Sequence, residues 1–149
     1  MVIIKTTQRK IKINMEKLKK DAQTILGLLD YHDFELTIFL TTNKTIRAYN
    51  KKYRKKDEAT DILAFPYYPD LQPGQRIVPE LESDKQLGDL IISLEYVQSA
   101  IKKLKTTLTK RLEVLLVHGI CHLLGYDHIT DEEYKIMQAQ EKKLLKHLR

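Results

Sequence analysis

The fold of this chain is decided by the stretch His118-Gly119-Ile120-Cys121-His122-Leu123-Leu124-Gly125-Tyr126-Asp127-His128. Apolar residues without proline precede it, and they predict a buried helix that continues to Leu124 and ends at Gly125. In a helix, His118 and His122 lie one turn apart on the same face. Glycine readily takes the left-handed conformation that turns a chain back after a helix. We therefore expect His128 to approach the two helical histidines from the following loop.

Three neutral imidazoles that converge on one point, with a fourth position left to water, are typical of a catalytic zinc site. A lone histidine in an apolar helix is usually a packing residue, but three at this spacing favour a metal. The spacing H-x-x-x-H-x-x-G-x-x-H is that of the metzincin zinc proteases. Gly119, however, stands where those enzymes carry the glutamate that activates water. The pattern therefore predicts the metal site but not peptide cleavage.

The same stretch resembles the signature of the YbeY family, bacterial endoribonucleases linked to ribosomal RNA maturation. Two further segments resemble other blocks of that family: Asn50–Asp57 followed by Thr60–Pro66, and Leu87–Ile92. Their order and spacing agree with the family from about Phe39 to the C-terminus. The resemblance implies one metal-dependent hydrolase domain over residues 1–149.

The resemblance also implies a substrate and a set of residue roles. It implies a single-strand-specific, zinc-dependent endoribonuclease in maturation of the 16S rRNA 3′ end and in ribosome quality control, with ribosomal RNA and the small ribosomal subunit as partners. His118, His122 and His128 are the expected ligands of one Zn²⁺, although nickel or another divalent metal also suits three imidazoles. Arg54 stands at the position of the family's catalytic arginine, and its planar fork can hold two phosphate oxygens. We expect Arg54 and His118 to be the catalytic residues.

The composition agrees with a nucleic-acid partner. The chain of 149 residues suffices for one domain with its own core, and no apolar run approaches the ~20 residues that span a bilayer. Its net charge is +6, with a pI near 9.3, and cations concentrate at positions 51–56 and near the C-terminus. A single cysteine cannot form an internal disulfide, which favours the cytoplasm. We expect no membrane association.

The order of predicted elements indicates an α+β fold, a single domain with a small mixed β-sheet covered by helices and a metzincin-like zinc-binding helix and loop. Strands are predicted at Phe34–Thr41, Thr60–Phe65 and Leu87–Ile92, and Val2–Ile13 reads as one or two more. Five helices are predicted to start at or after Asn14, Thr42 or Asn43, Ser93, Thr107 or Thr109, and Thr130. Residues 67–86, rich in proline, are predicted to form an exposed, mobile loop over substrate.

Two other functional hypotheses stay open at the level of sequence. One is a metal hydrolase with another substrate, peptide included; the other is a ribosome-assembly factor whose metal is mainly structural. Three residues near the motifs have undecided roles. Asp127 could orient a ligand or form the turn, Asp89 could orient a histidine or belong to the sheet, and Cys121 could bind the metal or pack in the core.

Overall fold

The computed structural model describes residues 1–149, which form one mixed four-stranded sheet and five α-helices. The strands are β1 (Val2–Thr6), β2 (Glu35–Thr41), β3 (Ile62–Pro66) and β4 (Gln86–Ser93). Their order in the sheet is β1-β2-β4-β3. Strands β1, β2 and β4 are parallel, and β3 is an antiparallel edge strand. This confirms the predicted α+β class and the small mixed sheet, in which the strand around Leu87–Ile92 is an interior one.

The helices begin where the sequence offers capping side chains. They are α1 (Met15–Leu28), α2 (Asn43–Arg54), α3 (Leu94–Ala100), α4 (Leu108–Leu123) and α5 (Asp131–Leu145), and short 3₁₀ turns occupy Glu82–Asp84 and Lys146–Leu148. Each helix is preceded by a side-chain oxygen that accepts from the backbone N–H three residues on; these caps are Asn14, Thr42, Ser93, Thr107 and Thr130. The predicted starts are confirmed, and Thr107 rather than Thr109 opens α4.

The sheet is covered on both faces because side chains alternate along each strand. Leu36, Ile38 and Leu40 of β2 are fully buried in the main core, to which α1, α4 and α5 contribute. On the opposite face, Ile46 of α2 packs with Leu63 and Ile91 in a smaller cluster. The face of α1, α4 and α5 therefore contains most of the core, and α2 covers the other face near β3.

The segment Val2–Ile13, predicted to form one or two strands, forms one. Strand β1 ends at Thr6, and the chain turns at Gln8 instead of forming a second strand through Ile11 and Ile13. The Gln8 side-chain amide donates to the Ile11 carbonyl at 2.8 Å and accepts from the Ile11 N–H at 2.9 Å. A single glutamine thus satisfies the backbone groups that a second strand would have paired, a local competition that alternating Lys and Ile residues do not reveal.

The loop between β3 and β4 is less exposed than predicted. Leu71 and Ile77 are buried in the main core, and the Ile77 N–H donates to the Tyr31 hydroxyl at 3.1 Å. Arg76 stacks on the Tyr31 ring and donates to the Leu29 carbonyl. The prediction of an exposed loop is therefore wrong at these anchoring residues. No helix of the chain combines the length and the apolarity needed to cross a bilayer.

Candidate metal centre

Two of the three histidines occupy the last turns of α4. His118 and His122 are four residues apart, and their Nε2 atoms lie 3.0 Å from each other. Their ring centroids are 4.5 Å apart and the ring planes are nearly perpendicular, at 88°. Apolar residues on the other side of α4 bury the helix, so both imidazoles project from its half-buried side.

Gly125 brings the third histidine to the same place. Its φ of +94° lies in the left-handed region, as predicted, and a Cβ there would stand 2.1 Å from the Leu71 carbonyl oxygen. The chain turns back after this residue, and the exposed His128 ring lies 5.1 Å from that of His122, centroid to centroid. One ring nitrogen from each of the three histidines lies within 4.8 Å of the others. The predicted convergence is confirmed.

The outer nitrogens of the helical histidines are held by the protein. The Nδ1–H of His122 donates to the Tyr126 carbonyl oxygen at 2.9 Å, and the Nδ1–H of His118 donates to Glu141 Oε2 at 2.7 Å. A carbonyl or carboxylate oxygen only accepts, so these contacts place the proton on Nδ1. The Nε2 atoms that face each other then carry lone pairs in both neutral rings.

This donor set fits a divalent metal ion. The Nε2 atoms of His118 and His122 are 3.0 Å apart, a distance at which one shared proton forms a hydrogen bond and one shared cation takes the place of that proton. Zinc–nitrogen distances of ~2.0–2.1 Å put neighbouring ligand nitrogens of a tetrahedral site roughly 3.3 Å apart, close to the observed contact. Glu141 beneath His118 forms the carboxylate–histidine arrangement that orients metal ligands in proteins. Three imidazoles leave room for water or substrate.

The protonation state of His122 also suits ligation. Burial lowers the pKa of His122, and the neighbouring His118 and His128 lower it further, against smaller opposing effects of Asp127 and the Tyr126 carbonyl. The imidazole is therefore neutral over a wider pH range than a free histidine. A neutral ring is the form that binds a metal.

The structure decides the roles of the three ambiguous residues. Asp127 accepts from the backbone N–H of His128 at 2.8 Å, so it belongs to the turn. Cys121 is fully buried on the core side of α4, where burial first and the Glu141 carboxylate second raise the pKa of its thiol to about 12. It is a packing residue and remains a thiol. Asp89 lies in β4, paired with Thr37 and Phe65, and it orients no histidine.

Gly119 faces the sheet and not the histidines. A Cβ at this position would stand 2.8 Å from both Ile62 Cδ1 and Leu90 Cδ2, so any side chain here would displace the ends of those two side chains. A glutamate would also bring its carboxylate against the apolar face of the sheet. The close packing of α4 on the sheet therefore disfavours the metzincin-type carboxylate at this position.

Arg54 lies near the C-terminal end of the edge strand β3, on the face of the sheet opposite α4. It is the exposed last residue of α2, and its guanidinium has no hydrogen bond or ion pair within the chain. Along α2, Ile46 packs with Leu63, and Tyr53 packs edge-on against Phe65, with ring centroids 5.3 Å apart. Helix α2 therefore runs towards the end of β3. Helix α4 does the same on the opposite face, so β3 separates Arg54 from the histidines.

Sequence reasoning missed Glu141. This residue is 23 positions from His118 and lies on α5, among glutamates and lysines that look alike in the sequence. Only the packing of α5 against α4 distinguishes it from its neighbours. The predicted helix start at Thr130 located α5 but not this contact.

Comparison with known proteins identifies the family of the chain. The family model described as "Endoribonuclease YbeY" matches residues 3–149. A human protein named endoribonuclease YbeY is 33% identical over 99% of this chain and 87% of its own length. The protein of that name from Sulfurihydrogenibium is 38% identical over 97% of this chain and 95% of its own, and that from Listeria welshimeri is 41% identical over 86% of each.

A solved structure has the same fold. The solution structure of TM1509 from Thermotoga maritima superposes with a TM-score of 0.66 at 25% sequence identity, covering 99% of this chain and 89% of that one. The family model matches nearly the whole chain, and the matched regions cover most of the length of the relatives. The histidine triad lies within the matched region. The chain belongs to the endoribonuclease YbeY family.

Proposed function

We propose that this protein is a single-strand-specific, metal-dependent endoribonuclease and that its metal is one zinc ion held by His118, His122 and His128. The observation that carries the proposal is the convergence of the three imidazoles within 4.8 Å, with the Nε2 atoms of His118 and His122 turned towards each other. Membership of the endoribonuclease YbeY family supports RNA as the substrate. Nickel or another divalent ion is the alternative to zinc.

The residues of the chain have distinct tasks in this proposal. A zinc ion at such a site activates water for attack near neutral pH. Glu141 and the Tyr126 carbonyl keep the Nδ1 protons of His118 and His122 in place and so orient both rings. His118 is both ligand and catalytic residue. Gly119 supplies no carboxylate beside the histidines and faces Ile62 and Leu90 of the sheet, which disfavours the peptidase alternative.

Arg54 is proposed to bind the phosphate that is cleaved. Its guanidinium is free of internal partners and can donate two parallel hydrogen bonds to phosphate oxygens, where negative charge grows during the reaction. The helices α2 and α4 end on opposite faces of β3. An RNA strand that crosses the outer edge of β3 therefore contacts both Arg54 and the metal centre.

The proposed cellular role is maturation of the 16S rRNA 3′ end and ribosome quality control in the cytoplasm, with ribosomal RNA and the small ribosomal subunit as partners. The family resemblance supports this role, and the positive net charge of +6 favours binding to a polyanion.

The role of Arg54 is tested with Arg54→Ala and the matched control Arg47→Ala, an exposed arginine of the same helix that pairs with Asp57. We expect Arg54→Ala to keep its metal content and melting temperature but to cleave single-stranded ribosomal RNA at least 100-fold more slowly, the scale of loss for one charge-stabilising donor. Arg47→Ala should cleave like the wild type. Equal turnover by both variants would remove Arg54 from the catalytic residues.

A further inference from the structure

The last turn of α2 and the residues after it form an unneutralised cationic cluster. Its members are exposed and make no side-chain hydrogen bond or ion pair within the chain; they are Lys51, Lys52, Arg54, Lys55 and Lys56. The nearby Asp57 is already paired with Arg47, through a 2.8 Å contact. Lys55 takes a left-handed conformation, with φ of +58°, and ends the helix. Positive charge is therefore concentrated at one end of α2.

Tyr53 lies in the middle of this cluster and is 55% exposed. Its ring is nevertheless fixed from within the protein. Tyr49, one turn earlier, stacks on it with an interplanar angle of 16° and a centroid distance of 6.1 Å, and Phe65 of β3 meets it edge-on at 5.3 Å. An aromatic ring held in this way loses little conformational entropy when a further ring stacks on it.

The surroundings of Tyr53 differ from those of the other exposed tyrosines. Each of the other three lies beside an acidic residue. The Tyr67 hydroxyl donates a hydrogen bond to Asp84, Tyr96 follows Glu95, and Tyr134 follows the acidic first turn of α5. Tyr53 alone combines an exposed ring with neighbouring cations, and the Lys52 ammonium lies 5.2 Å from its centroid. Stacking aromatics within a basic groove are the common means of holding single-stranded nucleic acid.

We propose that Tyr53, supported by Tyr49 and Phe65, is a stacking platform for one base of single-stranded RNA, and that the cationic cluster holds the phosphates on either side. This inference rests on the proposed function, whose substrate it deepens. The platform lies beside Arg54 and near the end of β3, so the stacked nucleotide is a neighbour of the phosphate to be cleaved. Lys52 has a flexible side chain and moves from the ring to a phosphate when a base arrives.

The test is binding of RNA by the metal-loaded protein. The probe is a fluorescent, cleavage-resistant phosphorothioate oligouridylate of about 12 nucleotides, a length within known single-strand site sizes. We expect Tyr53→Ala to weaken binding roughly tenfold, with an unchanged dependence of affinity on salt, and Tyr53→Phe to bind within about twofold of the wild type. The control is Tyr96→Ala, which changes an exposed tyrosine of α3 at the end of β4 away from Tyr53; this variant should bind like the wild type. Melting temperature and metal content are measured on each variant.

A second probe isolates the stacking contact. The same strand with abasic positions should bind the wild type more weakly, and it should no longer distinguish the wild type from Tyr53→Ala. If the wild type binds the RNA and Tyr53→Ala binds it with equal affinity, the stacking platform is overturned and the ribonuclease proposal stays intact. No binding by the wild type would overturn both. Loss of affinity in Tyr53→Phe as well would point to the hydroxyl and contradict stacking.

Discussion

Single residues of the metal centre differ in how much the sequence discloses about them. His118, His122 and His128 follow from local spacing, because a helix period and one glycine turn fix their relative positions. Glu141 does not, because its 2.7 Å contact with His118 depends on how two helices pack. Arg54 was predicted by resemblance, and its role stays a prediction.

Replacement of Glu141 tests whether the carboxylate orients its histidine. We expect Glu141→Gln to fold normally but to bind zinc about 10- to 100-fold more weakly, since an amide is a poorer acceptor for the His118 Nδ1–H. Titration against a chromophoric chelator measures the affinity. Glu132→Gln, an exposed position in the first turn of the same helix, is the matched control. Unchanged affinity in Glu141→Gln would reduce Glu141 to a surface ion pair.

Among the elements, helix starts were predicted well because capping is a local interaction. Asn14, Ser93 and Thr130 each cap a helix as expected. The sequence left open whether one or two strands form before Ile13, and it did not predict the buried Leu71, since a glutamine side chain and long-range packing decide these points. At Gly119, α4 approaches the sheet so closely that a side chain would displace the ends of Ile62 and Leu90.

Gly119→Glu therefore should not produce a protease. Its side chain would meet Ile62 and Leu90, so we expect a loss of at least about 3 kcal/mol in the free energy of unfolding from overpacking and from a buried carboxylate. Chemical denaturation measures the loss. Gly27→Glu is the control: this helical glycine of α1 is exposed, with nothing within 4 Å of a Cβ, and the change should cost nothing or stabilise by up to ~1 kcal/mol. A fully stable Gly119→Glu would contradict the packing argument.

At the scale of the whole molecule, the order of the strands determines where Arg54 and the histidines lie relative to β3. Strand β3 pairs with β4 at the edge of the sheet, and the ends of α2 and α4 lie on either side of this edge strand. The sequence contained both blocks, but strand order is a set of long-range pairings that periodicity does not encode. The placement of the cationic cluster and the metal centre on opposite faces of β3 is consequently a result of the fold.

Metal binding should stabilise the whole domain, because the site joins α4 to the loop that leads into α5. With free zinc at about 1,000 times the dissociation constant, linkage predicts about 4 kcal/mol of stabilisation. We expect chelation to lower the melting temperature of the wild type, and His128→Ala to lose most of the zinc-dependent shift. Calorimetry with and without zinc checks this. A shift of full size in His128→Ala would exclude it from the ligands.

The most direct test of the central claim is cleavage of single-stranded ribosomal RNA by wild-type and His122→Ala protein, purified side by side with their metal contents measured. His32→Ala, which alters an exposed histidine outside the site, controls for contaminating ribonucleases. We expect one metal ion and cleavage in the wild type and in His32→Ala, and neither in His122→Ala. Equal cleavage by all three proteins, or none by metal-loaded wild type, would contradict a metal-dependent ribonuclease at this site.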